Sequence, residues 1–549
     1  MRLPLLVLLS VLSGCSGLHT RQPPVISQAA CADFRALQQA GAPQTLLPEN
    51  FYHDCSGISA STQALGDSLR ALQPDYPLLQ PDQRFRDVSA LLRQPASASD
   101  DIHASRYLRE LTAFLQNPRY ACRFPVYAGY FARRYQQPVD FSACEASVPF
   151  YLLSMRKGGE VRHISPQDIS EIHLLFSSQG EALMSSFGHT ALRLVVCPQG
   201  QRDKKTACDR NLWEHIVLGF MGRIDELQLN PLKGVFGGYD AHLLGFTFME
   251  IYRTNTLYEN RNLYSLPLRL SAAERQQIVR ELAEVHWSYR GDYQFFTNNC
   301  ATLLQDTLQQ LVSEYDSDKQ LAGGYIRPDR FFAAARHSAL ADSKVLDDLG
   351  QAERDGYYFP STIPYYRLAL HELNQQRSLA PVKQLDDYPR RSAEQRLLAI
   401  LRDPQLLTAI QQDERLRDAQ ILLEEYVLLL QERELRLMFA RYLAGLDSGR
   451  LFQQAAAELQ QQPATLAFMK ACYQQPLQQM LSRLPRSEGM PGPDFLQQYG
   501  TSADCSNEQQ RSTIRQVFAG LMPEGPLAEE SRRLAAEIRD TLRNIDTLQ

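Results

Sequence analysis

Ten cysteines stand in this 549-residue chain, at positions 15, 31, 55, 122, 144, 197, 208, 300, 472 and 505. Cys15 closes an N-terminal export signal, so an odd number remains and one thiol must stay unpaired or bond to another molecule. If near neighbours pair, as Cys31 with Cys55, Cys122 with Cys144, Cys197 with Cys208 and Cys472 with Cys505, the single cysteine is Cys300. An unpaired thiol in an oxidising compartment is a liability unless it is used. Cys300 ends the run Phe295-Phe296-Thr297-Asn298-Asn299-Cys300, a loop leading into a predicted helix. In a first helical turn the free amides and the positive end of the macrodipole favour a thiolate, and the same amides can donate to an oxyanion. A buried, idle cysteine packing a helix is the competing reading.

A thiol nucleophile needs a base. Ser186-Phe187-Gly188-His189 opens a predicted strand, HTALRLVV, and makes His189 the candidate. A third residue would orient the imidazole through its other nitrogen. If Cys197 and Cys208 bridge a hairpin, residue 189 falls opposite about residue 216, which brings Leu212-Trp213-Glu214-His215 alongside. Strict alternation puts Glu214 on the face of His189, and a one-residue bulge puts His215 there. The residues alone leave both open.

The elements that must position these groups fall into blocks. Residues 1–15, MRLPLLVLLSVLSGC, carry one positive charge and an apolar run of about ten residues, too short to span a bilayer. Leu12-Ser13-Gly14-Cys15 resembles the bacterial lipobox, which implies acylation of Cys15; Ser16 after it implies, by similarity to lipoprotein sorting rules, the outer membrane. Residues 16–30 read as a tether, and 31–160 as a mainly helical region stapled by the first two cysteine pairs. Residues 165–320 change character, with β-rich runs EIHLLFSS, HTALRLVVC, LWEHIVLGF, GFTFMEIYRTN and NLYSLPLRL. Ser271 and Glu274 then form a capping box opening a helix to about Tyr289, and Leu303, Leu304, Leu308 and Leu311 recur at helical spacing after Cys300. This is an α+β domain. Residues 325–395 are mixed and rich in Pro and aromatics, and 396–549 are again helical.

The runs GEALMSSFGHTALRL, YRTNTLYENRNLYSLPLRLS and YQFFTNNCATLLQDTL resemble the Lnb-type N-terminal periplasmic domain over roughly residues 165–320. The resemblance implies a circularly permuted papain-like domain of the NlpC superfamily, an antiparallel sheet with helices, flanked by mainly helical regions. Relatives of the lecithin:retinol acyltransferase type carry a second histidine on the adjacent strand, and the order His189, His215, Cys300 fits them, with Glu214 the alternative to His215. Lnb-type proteins are implicated in N-acylation of bacterial lipoproteins, which implies Cys300 as acyl-accepting nucleophile and His189 as base.

A formal net charge of −5 gives no basic footprint for nucleic acid. The eleven histidines are scattered, with no H-E-x-x-H or paired C-x-x-C, so neither a metal nor another cofactor is expected; G-x-S-x-G is absent as well. The leading expectation is an envelope thiol-dependent acyltransferase or hydrolase, tethered to the membrane by lipid and facing the periplasm, with a lipid or lipoprotein substrate. The alternatives are a peptidoglycan stem-peptide amidase and a non-catalytic scaffold or binding protein.

Overall fold

The structure is a computed structural model. It describes residues 51–59 and 119–548 with short internal gaps, of which 223–238 is the longest, and a few positions between 28 and 38 and at 114 and 117. Cys15, the export signal and most of the expected N-terminal helical region lie outside the described residues. The chain divides into two compact units. The first, Met1–Leu72, Gln83–Pro118 and Tyr130–Asp140, holds the Cys31–Cys55 disulfide, with Arg35 donating to the Cys55 carbonyl at 3.3 Å. The second, Gln73–Asp82, Arg119–Gly129 and Phe141–Gln549, holds everything that follows. Cys122–Cys144, Cys197–Cys208 and Cys472–Cys505 are also bonded, and among the described residues Cys300 is the free cysteine.

A nine-stranded sheet runs β1 (Val148–Ser154), β2 (Gly158–Ile164), β3 (Ile169–Ser177), β4 (His189–Val196), β5 (Ile216–Gly222), β6 (Tyr239–Thr247), β7 (Leu263–Pro267), β8 (Gly291–Tyr293) and β9 (Tyr358–Phe359). Its order is β2-β1-β6-β5-β4-β3-β7-β9, with β8 also pairing β6, and among the described residues only β1–β6 is parallel. The α+β class expected from the sequence is therefore present. Two strands precede the expected domain start: β1 and β2 form an antiparallel hairpin at the sheet edge. Their signal is the short run VPFYLL, which reads as helix from the sequence because it adjoins residues of helical spacing. The expected strand GFTFMEIYRTN is also cut short. The Thr247 hydroxyl accepts from the Glu250 amide and starts a helix, Phe248–Tyr252, followed by a π-helical segment, Arg253–Tyr258.

The central strands β3 and β4 are buried along nearly their whole length, as expected of strands covered on both faces. On one face Leu175, Ala191, Val217 and Leu263 pack with Phe248 and Phe359. On the other, α1 (Ala272–Ser288) and α2 (Cys300–Leu311) lie against the sheet. The Ser271–Glu274 capping box forms as the sequence demands, with bonds of 2.8 and 3.2 Å. Near its other end α1 fastens the parallel seam. His286 Nε2 accepts from the Tyr151 amide at 2.9 Å, and its Nδ1 donates to the Leu243 carbonyl at 2.8 Å.

The C-terminal helices α3 (Ile363–Gln375), α4 (Ala393–Leu401), α5 (Glu414–Ala444) and α6 (Pro526–Leu548) share a core that includes Tyr366, Leu373, Tyr388, Leu406, Leu423 and Leu548. A wholly buried Arg396–Glu424 pair sits within them, at 2.9 Å, with Tyr388, Thr541 and Asn544 completing its hydrogen bonds. Removing one partner of such a pair costs about 3–5 kcal/mol. Arg433 reaches from α5 to the Tyr258 carbonyl at 3.4 Å, tying this bundle to the π-helical segment.

Candidate active site

Cys300 is the first residue of α2, and the sequence starts the helix there for a local reason. Asn299 caps it: the side-chain oxygen accepts from the Ala301 amide at 2.9 Å, and the Asn299 amide donates to Thr302 Oγ1 at 2.8 Å. The preceding loop is closed by a bridge between Gln294 and Asn298. Leu303, Leu304, Leu308 and Leu311 bury one side of α2 against the sheet, which aims the first turn at β4.

His189 is the first residue of β4, paired across the ladder with Ser177 of β3. Gly188 before it has φ +85°, and a Cβ there would lie 2.4 Å from the Ser177 carbonyl oxygen and 2.6 Å from the Phe176 ring. Only glycine turns the chain so close to β3. On the other side, His189 Nε2 lies 3.5 Å from where a Cβ on Gly219 of β5 would stand. Strands β4 and β5 pair only from Leu192–Leu218 to Leu194–Ile216. Beyond that Thr190, unpaired with β5, neighbours the Cys300 thiol.

Nucleophile and base thus meet where two strands part. Burial alone pushes the thiol pKa up, but His189 beside it, by charge and hydrogen bond, and then Thr190 more than offset that and bring it down to about 7. The Thr190 hydroxyl is buried beside the thiol and has no hydrogen-bond partner. Tyr293 of β8 completes the surroundings. Its hydroxyl bonds to the thiol and to the Cys300 backbone amide, and burial together with the charge of the thiolate holds the phenol well above its ordinary value, so it stays protonated. Its ring is seated over Gly222, where a Cβ would come within 2.8 Å of Cδ1.

His215 is elsewhere. Its Nδ1 accepts from Arg193 at 2.9 and 3.1 Å, and its Nε2 donates to the Cys208 carbonyl at 2.9 Å. Both ring nitrogens are engaged, and burial followed by the nearby Arg193 charge lowers its pKa to about 3. The expected register fails because Cys208 lies in a short helix, Lys205–Arg210, so the Cys197–Cys208 disulfide does not bridge two paired strands. The ladder that forms instead puts Arg193 opposite Val217, four residues along β4 from His189. Glu214 is exposed and paired with Arg162 at 3.3 Å. The bonds of His215 and Glu214 thus run to Arg193, Cys208 and Arg162, and none of them runs to His189. Thr190 and Tyr293 carry no sequence signal for this role, and Asn299 carries one only as an N-cap residue before a helical run. Among the described residues no cluster of three or more His, Cys, Asp or Glu could hold a metal ion.

A helix-borne cysteine facing a strand-borne histidine, in a mixed α/β domain with a mostly antiparallel sheet, defines the class of site. Residues 161–328, which carry every group just described, match the family model of the Lnb N-terminal periplasmic domain, and this segment is a domain of that type. The family supports a periplasmic, envelope-facing role, and no helix among the described residues is long and apolar enough to cross a membrane. No curated protein and no solved structure matches the chain.

Proposed function

We propose that this chain is a cell-envelope cysteine acyltransferase or hydrolase that accepts an acyl group from a lipid or lipoprotein on Cys300. The observation that carries the reading is the placement of the buried Cys300 thiol at the start of α2 against His189 at the start of β4, which brings the thiol pKa down to about 7. In this reading His189 takes the thiol proton, and the thiolate attacks the acyl carbonyl, forming the C–S bond as the carbonyl electron pair moves to oxygen. In this reading the Cys300 amide and the Tyr293 hydroxyl, bonded to each other beside the thiol, turn to that oxyanion as its donors. Collapse breaks the bond to the leaving group, which takes the proton from His189. An amine or water, deprotonated by His189, then attacks the thioester and releases Cys300.

A lipid anchor on Cys15, directed to the outer membrane, belongs to the same reading and is supported by Leu12-Ser13-Gly14-Cys15 and Ser16. The test is a strain producing only Cys300→Ala, compared with wild type by lipid and lipoprotein mass spectrometry and by muropeptide analysis. Altered acyl chains on lipid or lipoprotein are expected. Altered muropeptides alone would indicate an amidase, and a strain indistinguishable from wild type would leave a scaffold.

A further inference from the structure

The capping side chain next to the nucleophile makes more bonds than a cap requires. Asn299 Oδ1 serves the helix, accepting from Ala301, while Nδ2 donates to two loop carbonyls: Phe295 at 3.1 Å and Ile326 at 2.9 Å. Ile326 is half exposed, in a segment that returns to the site after α2. The next residue, Arg327, lays its guanidinium 4.5 Å from the centre of the Phe187 ring, two residues before His189. Asp329 fixes that guanidinium with two bonds of 2.7 and 3.1 Å. The connection is a closed circuit: Cys300 to Asn299, Asn299 to Ile326, Arg327 to Phe187, and Phe187 through Gly188 to His189.

We propose that Asn299 is a positioning residue whose side-chain amide fastens the Ile326–Arg327 segment across the site and so holds the Cys300 thiol and the His189 imidazole in register. This rests on Cys300 being the nucleophile. Its two functions reside on different atoms, so they are separable. Serine caps a helix as well as asparagine does, but its hydroxyl is too short to reach Ile326 and cannot replace the two Nδ2 bonds. Asn299→Ser therefore keeps the helix start and releases the strap. Arg327→Ala releases the same strap from its other end, at an exposed side chain.

The experiment is the pH profile of Cys300 alkylation by iodoacetamide in the full chain, read beside the melting temperature. Wild type should alkylate with an inflection near the lowered thiol value, about 7. Asn299→Ser should move the inflection up by about one pH unit, slowing alkylation about tenfold at pH 6 because the thiolate fraction falls, with an unchanged Tm. Arg327→Ala should shift it the same way by less. If Asn299→Ser also lowers Tm, Arg327→Ala decides alone. A wild-type profile in a normally melting Asn299→Ser, or in Arg327→Ala where that variant decides, overturns the proposal. Alkylation reads the thiolate without any substrate, so a failed acyl-transfer reading and a failed strap give different results.

Discussion

The two ends of β4 hold two polar centres built from similar residue types, and they differ in how completely each group is bonded. At the far end Arg193 is wholly buried; its guanidinium donates to His215 Nδ1, to Ser265 Oγ at 3.1 Å and to the Gly356 carbonyl at 2.8 Å, and it lies against the Phe248 and Phe359 rings. Ser265 Oγ also bonds His173 Nδ1 at 2.8 Å, and His173 Nε2 bonds Glu171 at 2.8 Å. This is a serine–histidine–carboxylate chain in composition, but Ser265 is fully buried and its oxygen is shared between Arg193 and His173. At the near end the thiol, the Thr190 hydroxyl and Tyr293 converge on one point where the strands have separated. A satisfied network rigidifies a fold, and a converging set of donors around a titratable thiol is arranged for chemistry.

The contrast breaks most sharply by mutation at the two ends. Cys300→Ala should lower acyl-transfer activity by about 10³-fold or more, as removal of a nucleophile does, with Tm nearly unchanged. Arg193→Ala should instead cost about 3–5 kcal/mol in denaturant unfolding, because it strips partners from buried His215 and Ser265 and from the half-buried Gly356 carbonyl. Its folded fraction should keep a reactive thiol. Reversal of either result would mean the two centres have been assigned the wrong way round.

A pH titration of stability sharpens the same comparison. Burial is the first cause lowering His173, His215 and His286, to about 4, 3 and 4, so the fold binds them neutral. Their contribution is present above the ordinary value near 6.5 and is lost as pH falls toward 3–4. Asp209, raised to about 6 by burial and then by nearby charges including Glu171, contributes with the opposite sign, favouring the fold at low pH and losing that contribution as pH rises through 6. Guanidinium unfolding between pH 7 and 4 should therefore show a net fall, smaller in His215→Gln, with alkylation of Cys300 unaltered by that substitution.

The smallest effect is at Tyr293. Tyr293→Phe removes one donor beside the thiol and should lower kcat about tenfold, with little change in KM and with Tm within about a degree, since the ring and its seat over Gly222 remain. An unchanged kcat would reduce Tyr293 to a packing residue.

Much of this arrangement is written locally in the sequence. The Ser271–Glu274 box, the helical leucine spacing after Cys300 and the cysteine count are short-range patterns, and local patterns survive folding. What was not legible depends on long-range register. A hairpin closed by Cys197 and Cys208 brings Glu214 or, with a bulge, His215 beside His189, but Cys208 lies in the helix Lys205–Arg210 and His215 is bonded to Arg193 instead. Tyr293 reaches the thiol only because β8 pairs with β6, a contact between segments some 50 residues apart whose three-residue strand has no pattern of its own. Thr190 is unremarkable in a strand until β5 fails to pair with it.

The central claim is that His189 poises Cys300 as a thiolate, and the most direct measurement is the alkylation pH profile of Cys300 in wild type and in His189→Gln. The account predicts an inflection near 7 in wild type and one displaced toward the ordinary thiol value of about 8.5 in the variant. Identical profiles, both near 8.5, would contradict it.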